Sequence, residues 1–477
     1  MSGSAAGSLI AVAGMVPLLV ATRPLLRALG LALWTAGVGV LAADLLHSPI
    51  SRLRVEATDR PLLAVAAILV GGLLLAAAAF VVHRRPWLLL LAAVAAAPAR
   101  IPVHAGGAEA NLLLPLYVVI AAAWLAAAWE IVRGTERPPE LGRLGWAVAA
   151  FMAWSGITMM WTADEHQGAV SMLFFLLPFG FLLTRLAPLR PGRRELRLAL
   201  GLQAALACLF GAVALWQFAT KDVFWNPKVI VGNQYASFFR VNSLFWDASI
   251  YGRFMAVTMV LLAGIAVYRR MAPPLVLLIA FLFAAMYVSY SQSSMFALGL
   301  GALTLGVALW PRRVIVGVAA TAGALGMVAL VIALHGNSAE TVTSDRTHLL
   351  DLGRRVIEHH PLVGAGNGGF ARAALAGTPH PWHVGQAASH TTPVTVLAEL
   401  GPLGLAAYLW LLVEAARLGL RHRRDPVPHM VLLAALTAIV ASSLFYNAFF
   451  EDPQTWILLA LLVTVRIFPK PQPGASA

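Results

Sequence analysis

Apolar runs succeed one another along this chain from Leu9 to Phe468, and no polar interval between them reaches the size of a domain. A single hydrophobic core stops growing at about 250–300 residues, so a 477-residue chain with this pattern cannot hide its apolar surface inside itself. A lipid bilayer is the solvent that absorbs it. Composition agrees: 60% of the residues are hydrophobic and 12% are charged, against about 45–50% and about 25% in soluble domains. One cleavable leader does not account for so many apolar segments. The fold class predicted is all-α, a polytopic membrane bundle.

A span needs about 20 apolar residues. With that ruler, candidate stretches fall near 7–22, 25–46, 61–82, 86–98, 111–131, 145–160, 167–184, 198–218, 247–268, 274–290, 292–309, 314–334, 391–416, 429–448 and 453–468. The first is interrupted by Pro17 and the fourth is short, so about 14–15 transmembrane helices are expected. The expected division is residues 1–83 as additional N-terminal spans, 84–334 as the transmembrane core, 335–390 as an extracytoplasmic loop, 391–468 as C-terminal spans and 469–477 as a tail.

The net charge of +13 would suggest nucleic acid in a soluble protein, but here its placement reports topology. Arg23, Arg27, Arg84, Arg85, Arg133, Arg137, Arg143, the run from Arg185 to Arg197, Arg269, Arg270, Arg312, Arg313, Arg417 to Arg424, Arg466 and Lys470 fall in alternate loops. They hold most of the 34 Lys and Arg residues. That face and the C-terminus are therefore expected to be cytoplasmic, with the two long loops, 219–246 and 335–390, on the other side. No nucleic-acid partner is expected, and membrane lipid is. The lone cysteine, Cys208, excludes an intrachain disulfide and reads as a small apolar side chain.

The long loops hold the polar residues capable of chemistry. In the second, Leu349, Leu352, Val356 and Ile357 recur at helical spacing, so an amphipathic helix is expected from Asp345 to His360 with Ser344 as N-cap. Pro361 ends it, and Gly364-Ala365-Gly366-Asn367-Gly368-Gly369 turns the chain into a short helix near Phe370–Leu375. That glycine run lacks the preceding strand of a phosphate loop and reads as a structural turn. His380 and His383 invite a metal reading, but no carboxylate or thiolate stands at ligand spacing, so no metal is expected.

His390 precedes Thr391-Thr392-Pro393 at the start of an apolar helix. An imidazole titrating near pH 6.5 at that boundary suits a general base, or else an interfacial anchor. Arg240 stands among Phe238, Phe239 and Phe245 just before a span, where a guanidinium needs compensation. An anionic diphosphate fits its donor fork, and Asp247 is the structural alternative. Arg253, farther into that span, is read as serving topology or packing. Among carboxylates within spans, Asp44, Glu130, Glu399 and Glu414, the third is read as structural rather than as a proton relay.

The ordered set Arg240-Val241-Asn242-Ser243-Leu244-Phe245, Ser344-Asp345-Arg346, His360-Pro361-Leu362-Val363-Gly364-Ala365-Gly366 and His390-Thr391-Thr392-Pro393-Val394-Thr395-Val396-Leu397-Ala398-Glu399-Leu400-Gly401 resembles the O-antigen ligase and O-antigen polymerase family, over roughly residues 200–465. The resemblance implies a GT-C-like bundle in a bacterial inner membrane. The activity it implies is that of an inverting, metal-independent glycosyltransferase. The donor would be a glycan on undecaprenyl diphosphate, the acceptor a glycan, glycolipid or glycoprotein, and no cofactor is implied. By the same resemblance His390 matches the general base, and Arg240 and Arg346 match arginines placed at the diphosphate. Where the family carries a further arginine, Ser289-Tyr290-Ser291-Gln292-Ser293-Ser294 has none, and Gln292 would offer hydrogen bonds without charge. The alternative readings are a lipid-linked glycan transporter or flippase, and a non-catalytic protein of envelope assembly.

Overall fold

The computed structural model describes residues 2–45, 61–105, 108–235, 238–268, 272–309, 311, 313–314, 316–317, 320–321, 346–376, 389–420 and 427–464. In chain order the helices are α1 (Gly3–Val20), α2 (Pro24–Leu45), α3 (Pro61–Arg84), α4 (Leu88–Ala96), α5 (Leu114–Val132), α6 (Gly142–Thr158), α7 (Glu165–Leu186), α8 (Arg193–Thr220) and α9 (Pro227–Tyr235). There follow α10 (Ala248–Tyr268), α11 (Pro273–Tyr287), α12 (Gln292–Leu309), α13 (Arg346–His359), α14 (Phe370–Leu375), α15 (Thr392–Leu420), α16 (Val427–Ser443) and α17 (Pro453–Thr464). Seven of the described helices are long and apolar enough to cross a membrane, and five apolar helices of 10–17 residues accompany them. The candidate span at 314–334 lies almost wholly outside the described residues. The bundle is the polytopic helical class that the apolar runs demand. One local departure is a β-hairpin, β1 (Ile101–Ala105) paired antiparallel with β2 (Ala108–Leu112), where a plain loop was expected.

The N-terminal helices are built into the bundle. In α1 and α2 glycines face each other: a Cβ on Gly14 would lie 2.2 Å from the Trp34 nitrogen, and one on Gly37 2.2 Å from that of Ala11. Small residues let two backbones touch, which is how helices associate where lipid removes the hydrophobic drive. The other face of α1 enters the core, where Met15 and Leu19 are buried and Val12 packs on Gly156 of α6. Pro17 is accommodated within α1, close to its C-terminal end.

Carboxylates at the arginine-rich end pair with several of its arginines. Arg27 donates from Nε to Glu136 at 3.0 Å and from Nη1 to the Leu18 carbonyl at 2.7 Å, while Arg185 pairs with Glu130 at 2.6 Å. At the same end, Glu414 of α15 meets Arg143 at 3.1 Å and Arg417 at 2.6 Å.

The other end gathers the connections after α4, α6, α8, α11, α13, α14 and α16. Hydrogen bonds join them: Ala163 N–H to the Ala365 carbonyl, Val241 N–H to that of Val288, and Thr391 Oγ1 to that of Leu444. At its centre α15 breaks at Gly401, whose backbone is left-handed and extended (φ 66°, ψ −171°), and Pro402 follows without an N–H. The carbonyls this frees are taken from outside the helix. Ala365 and Gly366 donate to Ala398 and Glu399 at 2.9 and 2.8 Å, and Trp154 Nε1 donates to Leu400 at 2.7 Å. Broken helices persist at membrane depth only when neighbours satisfy the backbone in this way.

Candidate active site

The glycine run 364–369 is the clamp on that break. Gly364, Gly366 and Gly368 all have positive φ, and a Cβ on Gly366 would lie 2.2 Å from Thr162 Cα. Asn367 locks the turn onto the start of α7: its N–H donates to Thr158 Oγ1 at 3.2 Å, its Nδ2 to the Gly168 carbonyl at 3.2 Å, and its carbonyl accepts from Thr162 Oγ1 at 2.8 Å. The Glu399 carboxylate accepts Gly368 N–H at 3.0 Å and Phe370 N–H at 3.2 Å. The run is a structural turn and Glu399 is its fastener, both as the residues imply.

Directly before α15, His390 sits in the left-handed region at φ 53°. Ser389 fixes this corner, accepting Thr391 N–H at 3.1 Å while its hydroxyl lies 2.6 Å from that of Thr395. Thr391 and Thr392 then tie the helix start to the α16–α17 connection, at the Leu444 carbonyl (3.1 Å) and at Asn447 Oδ1 (3.0 Å). The imidazole faces the ring of Tyr446 in the same connection, with centroids 6.2 Å apart.

Arg240 is half-buried and held from both sides. Asn233 of α9 grips its backbone, accepting its N–H and donating to its carbonyl, each at 2.9 Å. Its guanidinium donates from Nε to the Ser289 carbonyl at 3.0 Å and from Nη2 to Ser249 Oγ at 3.3 Å. Asp247, the structural partner considered from sequence, caps Ser249 N–H at 2.6 Å instead. No carboxylate among the described residues forms an ion pair with Arg240.

Gln292 opens α12 and is exposed, three residues from the carbonyl that Arg240 holds, so these two positions share one turn. Beside it Ser291 Oγ contacts Ser293 and Ser294 Oγ at 3.1 and 2.7 Å. Arg346 begins α13, but its side chain lies outside the described residues, as do Ser344, Asp345, His380 and His383. The amphipathic helix expected from Asp345 to His360 is found as α13, and α14 occupies the positions expected for it.

Sequence reasoning missed what joins these groups. Arg253 lies one helical turn beyond Ser249 on α10 and is 1% exposed. Its Nε donates to Asp452 Oδ2 at 2.7 Å, and its Cζ is 5.8 Å from the Tyr446 ring. Tyr446 therefore neighbours both Arg253 and His390. Arg100 donates to the Glu451 carbonyl at 3.4 Å. Burial raises the Glu451 carboxyl above the usual range, with Arg100 and Arg253 opposing. Burial likewise pushes the Tyr446 hydroxyl up. The signal for Arg253 was an arginine inside a span, the kind of residue that marks function or a partner.

Fold and site together define a multi-pass helical membrane protein with a polar centre assembled at one end of its bundle. Residues 276–409 match the family model described as O-Antigen ligase, so that segment is similar to the O-antigen ligase/polymerase family. The matched segment contains Gln292, Arg346, the glycine turn and His390, whereas Arg240 and Arg253 precede it. No curated protein matches the chain.

Proposed function

We propose that this chain is an inverting, metal-independent glycosyltransferase that moves a glycan from undecaprenyl diphosphate to a sugar hydroxyl on the extracytoplasmic face of a bacterial inner membrane. His390 takes the proton from the acceptor hydroxyl as its oxygen attacks the anomeric carbon. The bond from that carbon to the diphosphate oxygen breaks, and undecaprenyl diphosphate leaves with the electron pair. Arg240 faces the charge that develops there, with Gln292 and Arg346 as further donors to the phosphoryl oxygens.

The observation that carries this reading is the fixing of His390 within the matched segment, at the end of the bundle where Arg240 also stands. A left-handed backbone at a non-glycine residue is strained, and strain of this kind clusters at functional sites. The transporter alternative needs ionisable groups free to relay charge through the membrane. Each span carboxylate singled out from sequence is engaged: Asp44 by Ser4, Glu130 by Arg185, Glu399 by two backbone N–H groups and Glu414 by two arginines.

The test is transfer of labelled glycan from an undecaprenyl-diphosphate donor pool by purified protein with chelator present. His390→Ala is expected to lose about 10²–10⁴ in rate, and Arg240→Ala to lose most transfer. Equal activity in all three proteins would refute the site. The length distribution of the product separates ligase from polymerase.

A further inference from the structure

Arg253 is the most deeply buried cation among the described residues at this end of the molecule, and most of its hydrogen-bonding capacity is unused there. Nε is satisfied by Asp452, but neither Nη1 nor Nη2 has a hydrogen-bond partner among the described residues. A guanidinium presents five N–H donors, so four have no acceptor among the described residues. Asp452 takes no bond from either Nη group here, its Oδ1 accepting the N–H of Gln454 at 2.9 Å instead. A buried charge left this open is expensive unless something with lone pairs arrives. Arg253 lines a narrow pocket between the end of α4, α10 and the start of α17, together with Arg100, Phe245, Asp452 and Gln454. The pocket has room for a few oxygens and no more.

We propose that this pocket is an anion subsite in which the two Nη groups of Arg253, with Arg100 beside them, take the oxygens of one phosphoryl group of the lipid-linked diphosphate. The geometry suits the ligand: two parallel N–H donors match two oxygens of a tetrahedral anion. Placement suits it too, because Arg253 lies one turn from Ser249, which Arg240 holds, and near the Tyr446 ring that His390 also faces. Arg253 thereby supplies, from α10, a cation that the 289–294 turn does not contain. This rests on the glycosyltransferase reading for the identity of the donor, but its test reads binding rather than transfer.

Full-length protein in phosphatidylcholine nanodiscs would be titrated with undecaprenyl diphosphate, with inorganic diphosphate and with phosphatidylglycerol. Arg253→Gln alone strands Asp452, so the informative pair is Asp452→Asn and the double variant Arg253→Gln/Asp452→Asn, which removes the ion pair as a unit. Relative to Asp452→Asn, the double variant is expected to bind undecaprenyl diphosphate at least about tenfold more weakly and to lose inorganic diphosphate in parallel. Phosphatidylglycerol should show no such dependence. Equal affinity of the two variants for undecaprenyl diphosphate would overturn the proposal and leave Arg253 as a packing cation. Arg253-dependent binding of phosphatidylglycerol alone would overturn it in favour of a membrane headgroup. If binding follows Arg253 while no donor supports transfer, the subsite stands and the glycosyltransferase reading falls.

Discussion

Glu399 shows how one side chain can decide where another stands. Standing nine residues beyond His390 in the chain, it holds the backbone at Gly368 and Phe370 with its two oxygens. Glu399→Ala leaves two N–H groups without their acceptor, which is expected to destabilise the protein by about 1–3 kcal/mol, read as a lowered unfolding temperature in detergent. Gly366→Ala is expected to be at least as damaging, because its φ of 84° and the Thr162 backbone both exclude a Cβ. Gly71→Ala, where a Cβ meets nothing within 4 Å, is the control and should be neutral or slightly stabilising. His390 and Glu399 were legible in the sequence because each sits at a fixed place relative to an apolar run. The partners of Arg240 were not, since one is a backbone carbonyl and carbonyls carry no sequence signature. The Arg253–Asp452 pair joins residues 199 positions apart, and no pattern within a window reports that.

Among the elements, α13 was the most legible, its apolar stripe and polar face both readable at helical spacing. Its polar face is a small ion-pair lattice: Asp351 accepts from Arg355 at 2.7 and 3.0 Å and from Arg354 at 3.1 and 3.2 Å, and Arg354 also reaches Glu358 at 2.7 Å. The bonds from Arg355 and then Arg354 hold the Asp351 carboxyl below its usual range. A lowered folded value means that the unfolded chain binds the proton first. The contribution to α13 is therefore complete above the ordinary carboxylate range and is lost as pH falls through the lowered value. Amide exchange across 349–359 should accelerate over that acid interval in the wild type, and Asp351→Asn should show the faster exchange already at neutral pH. Exposure keeps the effect small. The β1–β2 hairpin was less legible, although Gly106-Gly107 between two short alternating runs is a recognised hairpin signal. In a chain read for spans of about 20 residues, a ten-residue feature falls below the ruler.

At the scale of the molecule, the division of polar chemistry between the two ends is the testable feature. One end pairs Arg27, Arg143, Arg185 and Arg417 with carboxylates, and the other gathers His390, Tyr446, Arg240 and Arg253. If the second end is extracytoplasmic, a membrane-impermeant maleimide applied to intact cells should label Asp222→Cys and not Thr135→Cys, both made in a Cys208→Ser background. The reverse pattern would invert the proposed topology. The break in α15 has a further consequence for how this end responds to force. Past Gly401 the helix is anchored in the bundle, but the segment 392–400 is coupled sideways, through three borrowed hydrogen bonds, to the 364–366 turn and Trp154. His390 therefore rides on a stub held by a strap more than twenty residues upstream, as well as by the α16–α17 connection that Thr391 and Thr392 reach. Any ligand or partner that tugs on that strap reaches the imidazole mechanically without touching it.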